Sequence, residues 1–285
     1  MVVLLALALL AAGIVACGED APRPTDFRAV CAPKADEDDA EGVRFDATFE
    51  DGGVFPPYDG EYVNDDGPGV DSGKGTVDSP VRTGDRAMRL VMPPSGGSVN
   101  RSQLQTPNDL LFRSGDDYWY GISLYLGEDW KLDRDQLDDN REAFAGVFSF
   151  RWEAISDEAN GPSGGITMVR IGDEPHFVSR RETRGWDFPD DAGNDTIDLG
   201  PIVTGRWIDF VMHIRWSDSP DDALREFWRD GRFMGRSTNQ NMGTDSPIIN
   251  RVGVYQGTGV DHTRTLYWDN HRIAGSCAEV DPASP

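Results

Sequence analysis

From Trp207 to Trp216 the side chains alternate. Ile208, Phe210, Met212, Ile214 and Trp216 stand against Trp207, Asp209, Val211, His213 and Arg215. Successive side chains of a strand point to opposite faces, so a period of two sustained this long predicts one long strand with one face on a core. A short run, REFW, follows, then Asp230-Gly231, then RFM. Asp-Gly between two such runs predicts a tight hairpin, because both turn positions must accept positive φ. This stretch commits the chain to an antiparallel sheet.

The rest of the sequence agrees. Strands are predicted at Val43–Phe49, Ala87–Met92, Val99–Leu104, Tyr118–Leu126 and within Glu142–Trp152. Gly165–Ile171 and His176–Arg181 read as a strand pair, and Arg251–Gln256 and Thr265–Ile273 close the domain. Residues 50–75 are rich in Gly, Asp and Pro and read as a long loop. No helical period is sustained. Many short strands with turn signals between them predict an all-β sandwich or jelly roll, built as one domain. Period two puts Arg101 and Gln103 on one face of their strand. It puts Val147, Ser149 and Arg151 opposite Phe148, Phe150 and Trp152.

Residues 1–16 are apolar and uncharged. The run is shorter than the roughly 20 residues that span a bilayer. It ends in Ile14-Val15-Ala16-Cys17, which resembles a bacterial lipobox with Cys17 as the acylated residue. An ordinary signal peptide or an uncleaved anchor is the alternative. No Lys or Arg precedes the run, so a basic segment upstream of Met1 would complete the leader. The expected organisation is a signal peptide 1–16, a lipid-anchored tether 17–41, a domain 42–277 and a C-terminal tail 278–285.

Of the three cysteines, Cys31 and Cys277 remain if Cys17 is acylated. They flank the domain, and an exported compartment permits a disulfide between them. Their spacing does not suit zinc. The net charge of -23 argues against nucleic acid as a partner, which needs a basic surface. It also opposes long-range attraction of polyanionic glycans, so such a ligand needs a local cluster of Arg. The acidic runs Asp36–Asp39 and Asp190-Asp191 read as solvated loops. His176, His213, His262 and His271 show no paired ligand spacing, and no metal or redox cofactor is implied. Structural calcium is left open.

Several pieces recur in a familiar order: FEDGG, PVRTGDRAMRL, NRSQL, DDYWYGISLYLGEDW, VFSFRW, TGRWIDFVMHIRWS, EFWRDGRFM, VGVYQG and TLYWDNHRIA. From Phe45 to Ala274 the chain resembles the polysaccharide lyase family that includes heparin lyase I-like and glucuronan lyase-like proteins. The resemblance implies a concanavalin A-like jelly roll with a glycan cleft on one sheet. It implies β-elimination on a uronic acid-containing glycan. Such a reaction needs a group that neutralises the uronate carboxylate, a base for the C5 proton and an acid for the leaving oxygen.

Tyr255 in VGVYQG matches the family tyrosine and is the candidate for base, acid or both, with a cleft-lining or core aromatic as the plain alternative. A phenol ordinarily loses its proton near pH 10, so a tyrosine base needs cations beside it. Arg101 and Gln103 match the substrate-facing strand, with Gln103 where the family has Glu. Arg151 lies in VFSFRW, where a Gln-x-His pattern is expected and Ser149 and Arg151 stand instead. His213 would serve only if its strand face is the cleft face. Two other readings stay open. One is a non-catalytic carbohydrate-binding protein of the same fold. The other is a glycoside hydrolase, which needs two carboxylates across the cleft. The expected partner is a polysaccharide, with membrane contact only through the lipid and a monomeric state.

Overall fold

The computed structural model describes residues 26–31, 42–55, 57–63, 73–95, 100–131, 145–152, 164–171, 174–180, 195–243, 247–257 and 259–282. Cys17, both acidic runs and the apolar leader lie outside the described residues.

The elements are α1 Phe27–Val30, β1 Val43–Ala47, β2 Gly60–Val63, β3 Gly73–Val77, β4 Ala87–Met92, β5 Asn100–Gln105, β6 Asp117–Leu126 and β7 Ala145–Trp152. They continue with β8 Gly164–Ile171, β9 Glu174–Arg180, β10 Thr196–Pro201, β11 Trp207–Arg215, β12 Leu224–Arg229, β13 Arg232–Ser237, β14 Ile248–Gln256 and β15 Arg264–Ala274. A short 3-10 turn, Cys277–Val280, follows. Among the described residues no helix is long and apolar enough to cross a membrane.

The strands form two antiparallel sheets. One has the order β13-β12-β11-β6-β15-β4-β3, with β1 also paired to β15; the other has β10-β9-β8-β7-β14-β5-β2. This is a jelly-roll sandwich. Ile208, Phe210, Met212 and Ile214 of β11 are fully buried between the sheets, as their alternation predicts. Facing them are Phe148, Phe150, Val252 and Val254 from the other sheet, in the same core cluster. Val147 also joins that cluster, against the simple alternation, because the β7–β8 register shifts between Gly146 and Phe148. The hairpin turn at Asp230-Gly231 has φ of 49° and 78°, the double positive φ that its sequence predicts.

Four stretches differ from the sequence reading. Residues 50–75 are not one loop: they contain β2 and the start of β3. β10 was not foreseen. The tether includes α1, which is docked. Phe27 is buried with Val211, Trp228, Ala274 and Val280 on the outer face of the eight-stranded sheet. Cys31 is bonded to Cys277, with Cα atoms 5.5 Å apart. The tail is docked too. Val280 is fully buried, and the Pro282 carbonyl accepts a hydrogen bond from Asn270. Gly121 permits this approach, since a Cβ there would lie 2.0 Å from the Val280 carbonyl oxygen.

Candidate active site

Strand β14 lies between β5 and β7 in the interior of the seven-stranded sheet. Its even positions, Val252 and Val254, enter the core, so Arg251, Gly253 and Tyr255 face outward. Leu104 of β5 and Phe148 and Phe150 of β7 also enter the core. That turns Arg101, Gln103, Gln105, Ser149 and Arg151 to the same outer face.

The structure brings Arg101, Gln103, Arg151 and Tyr255 together there. The Arg101 guanidinium carbon is 4.2 Å from the centre of the Tyr255 ring, and that of Arg151 is 5.4 Å from it. Cations near an aromatic face are held by its quadrupole. Tyr255 is 9% exposed, yet it belongs to neither apolar cluster. Its cover is the polar side chains of the outer face, not the sandwich interior.

Gln103 donates from Nε2 to Ser149 Oγ at 3.1 Å. The two residues are on strands that do not touch each other. Gln103 is paired with Gly253, and Ser149 with Arg251. The amide crosses β14 at the position where β14 has no side chain. Gly253 has φ 142°, and a Cβ there would lie 2.3 Å from the Ser102 carbonyl oxygen. Gln103 is 2% exposed and its Oε1 accepts no hydrogen bond among the described residues.

Arg251 was missed by the sequence reading. Its Nε donates to Gln105 Oε1 at 2.8 Å, on the same face as Tyr255. The signal was present, because positions 251 and 255 share a face by period two. Three guanidinium groups thus converge on this face of a chain whose net charge is -23. Strands β5, β7 and β14 contain no Asp or Glu at all.

None of the four histidines joins the group. His213 is on the outer face of the other sheet, stacked on Trp119 and bonded to Asp117 and Glu226. His271 is fully buried in the core, with Nδ1 2.8 Å from the Tyr58 hydroxyl, and burial pushes its pKa down to about 3. His262 lies beside Asp261 and Arg264. His176 shares the outer face of the seven-stranded sheet but sits on β9, bonded to Asp198 at 2.8 Å. Three strand spacings separate β9 from β14, roughly 14 Å. Among the described residues no group of His, Cys, Asp and Glu is arranged to hold a metal ion.

Fold and site together define a β-sandwich with a cationic, carboxylate-free polar strip along the centre of one sheet. The family model described as Polysaccharide lyase matches residues 54–272. The chain belongs to the polysaccharide lyase family. Among solved structures it is similar to the endo-β-1,4-glucuronan lyase from the fungus Trichoderma reesei. The TM-score is 0.59 and the identity 18%, over 82% of this chain and 98% of that one. It is also similar to the cellulose induced protein Cip1, with a TM-score of 0.50 and 13% identity over 82% and 98% of the two chains. An alginate lyase from Pseudomonas aeruginosa matches at a TM-score of 0.44 and 15% identity, over 68% and 84%. These likenesses concern the fold. A search of the curated proteins finds no match.

Proposed function

We propose that this protein cleaves a uronic acid-containing polysaccharide by β-elimination at Tyr255. The observation that carries this reading is the placement of the Arg101 and Arg151 guanidiniums against the Tyr255 ring, on three adjacent strands that contain no Asp or Glu. A uronate carboxylate placed between the guanidiniums has its charge neutralised, which makes the adjacent C5 proton more acidic. Tyr255 takes that proton as phenolate. The electron pair from C5–H forms the C4–C5 double bond, and the C4–O bond breaks. The Tyr255 hydroxyl then returns a proton to the leaving oxygen. Gln103, neutral where the family has Glu, adds no negative charge to compete with the substrate.

Two features favour the rival reading of a carbohydrate-binding protein. Ser149 and Arg151 stand where the family has Gln-x-His, and Tyr255 is largely covered. Hydrolysis by paired carboxylates finds no support on the central strands, which supply none.

Localisation belongs to the same proposal. The disulfide fits an exported chain. Lipidation at Cys17 is inferred from the lipobox-like sequence, and fractionation of Cys17→Ala tests it. A membrane-bound product of unchanged mass would refute it.

Elimination creates an unsaturated uronate that absorbs in the ultraviolet. Glucuronan, alginate and heparin-like polymers form the test panel. Absorbance should rise on at least one of them, and Tyr255→Phe should abolish the signal while binding survives. Binding without any absorbance change across the panel would establish the binding protein instead. Elimination that persists in Tyr255→Phe would move the site elsewhere.

A further inference from the structure

The outer face of the eight-stranded sheet has two halves. One is sealed by Phe27 and Val280, which pack over Val211, Trp228 and Ala274. The other half carries a transverse row. Trp207 of β11 is paired with Tyr125 of β6, Tyr125 with Tyr267 of β15, and Tyr267 with Arg89 of β4. Their sequence neighbours Ile208, Leu124, Leu126, Leu266, Trp268, Met88 and Leu90 are buried in the core, so the four side chains point outward.

The rings interlock edge to face. Tyr125 lies 5.5 Å from Trp207 at 61°, and 5.5 Å from Tyr267 at 90°. All three remain part-exposed, and Arg89 is exposed. With three inter-strand spacings, the row is about 14 Å long and runs across the strands. No described residue forms an ion pair with Arg89. Asp209, two positions along β11 from Trp207, is held by Arg82, at 2.9 and 2.7 Å, and by Ser123. At the far end, Arg206 faces Asp230 at 3.6 Å and Glu128 lies beside Gly205. The end with Arg89 is therefore the cationic one.

Outward positions on a half-solvated antiparallel sheet are ordinarily polar. Here three adjacent strands place an aromatic ring at one level, followed by a cation. The patch is too small for a stable protein interface. Three rings of about 150–250 Å² each, already partly covered, fall short of the roughly 1,000 Å² that such an interface clears. A sugar chain fits better. The C–H face of a pyranose suits an aromatic ring, and a carboxylate suits Arg89.

We propose that Trp207, Tyr125, Tyr267 and Arg89 form a second glycan-binding surface on the sheet opposite Tyr255. It holds a stretch of acidic polysaccharide, with sugar rings on the aromatics and a uronate carboxylate on Arg89. The ligand class rests on the function proposed above; the surface itself does not. Its role is to retain a long chain while another segment occupies the Tyr255 face.

The test uses affinity electrophoresis of the full chain in gels containing polymeric glucuronan or alginate. The variants are Arg89→Met and the double change Trp207→Ala with Tyr267→Ala. Each should weaken polymer retention by about tenfold. The effect of Arg89→Met should shrink at high salt. Turnover of short oligosaccharides, where the wild type shows it, should not change. Arg89 is exposed, so its variant reads the surface even if the double variant unfolds. Retention unchanged in Arg89→Met and in a folded double variant would overturn the proposal. So would retention lost in Tyr255→Phe alone, which would place all binding in the candidate cleft. Self-association of the wild type in sedimentation, lost in the variants, would make the row a protein interface. Should no uronan be cleaved, the retention assay still decides the outer surface.

Discussion

Gln103 and Ser149 are hydrogen-bonded across a strand to which neither belongs. The 3.1 Å bond passes over β14 at Gly253, the outward position that carries no side chain. This fixes a polar bar beneath the group formed by Tyr255, Arg101 and Arg151. The bar exists because a glycine sits at one place in β14.

Gly253→Ala should therefore damage both fold and site. At φ 142° an L side chain is strained, and the added Cβ would meet the Ser102 carbonyl oxygen at 2.3 Å. A residue held in such a region costs roughly 1–3 kcal/mol, and the backbone clash puts this case at the upper end. Urea denaturation of the variant should show that loss. An unchanged midpoint would mean that β14 tolerates the shift and that the bridge does not depend on glycine.

The bridge itself is open to a double-mutant cycle. Ser149→Ala leaves the buried Gln103 amide without its acceptor, which should cost about 1–3 kcal/mol. Gln103→Leu removes the donor, and the pair of changes together should cost less than the sum. Additive losses would show that the two side chains are neighbours without energetic coupling.

The strands that were legible are those with a strong period of two and long apolar faces. β4, β6 and β11 follow the alternation closely, whereas β15 breaks it where its register against β6 shifts between Asp269 and Arg272. β2 and β3, with sequences GEYV and GKGTV, carry too few apolar side chains to show a period. β10 is short and ends in Gly200-Pro201, a pattern that reads as a turn. Helix α1 has four residues, and its position comes from Phe27 meeting Trp119 and Trp228, contacts distant in sequence. In the site, face logic and family resemblance singled out Tyr255, Arg101, Gln103 and Arg151. Period two shows which residues share a face of one strand. It does not show which strands lie side by side, so the crossing of β14 by Gln103 was not readable.

The disulfide closes a loop between residues 246 positions apart. Chain-entropy reasoning gives an upper value of about 5.5 kcal/mol for a loop of that length. Replacing both Cys31 and Cys277 by Ser should lower stability by up to that amount and loosen α1. Phe27→Ala should then cost less in the disulfide-free chain than in the native one, because α1 is no longer pinned. Denaturation midpoints of the four proteins test this. Equal midpoints with and without the bridge would show that α1 and the 3-10 turn hold the sheet unaided.

The last prediction concerns pH. His213 lies flat on Trp119, with ring centroids 4.1 Å apart and planes 2° from parallel. Its Nε2 is 2.7 Å from Asp117 and its Nδ1 3.2 Å from the buried Glu226. Burial opposes its charge, but the hydrogen bonds and charges of Asp117 and Glu226 outweigh burial and raise its pKa above 6.5. Arg215 also approaches Asp117, at 3.9 Å. A raised folded-state pKa means that the proton is bound more tightly in the native chain. The resulting stability is fully present below about pH 6.5 and is lost as pH rises through the folded value. Asp269 acts in the same direction at lower pH. Burial raises its pKa from 3.8 to about 6, against hydrogen bonds from Thr83, Asn270 and Arg82. Its contribution is present below about pH 4 and is lost as pH rises through 6, by about 3 kcal/mol in total. Stability measured in urea should therefore carry two declining components, one between pH 4 and 6 and one beginning near 6.5. Asp269→Asn should flatten the first and leave the second. His213→Gln should do the reverse. A His213→Gln profile parallel to wild type above pH 6 would mean that the imidazole is not the group held protonated between Asp117 and Glu226.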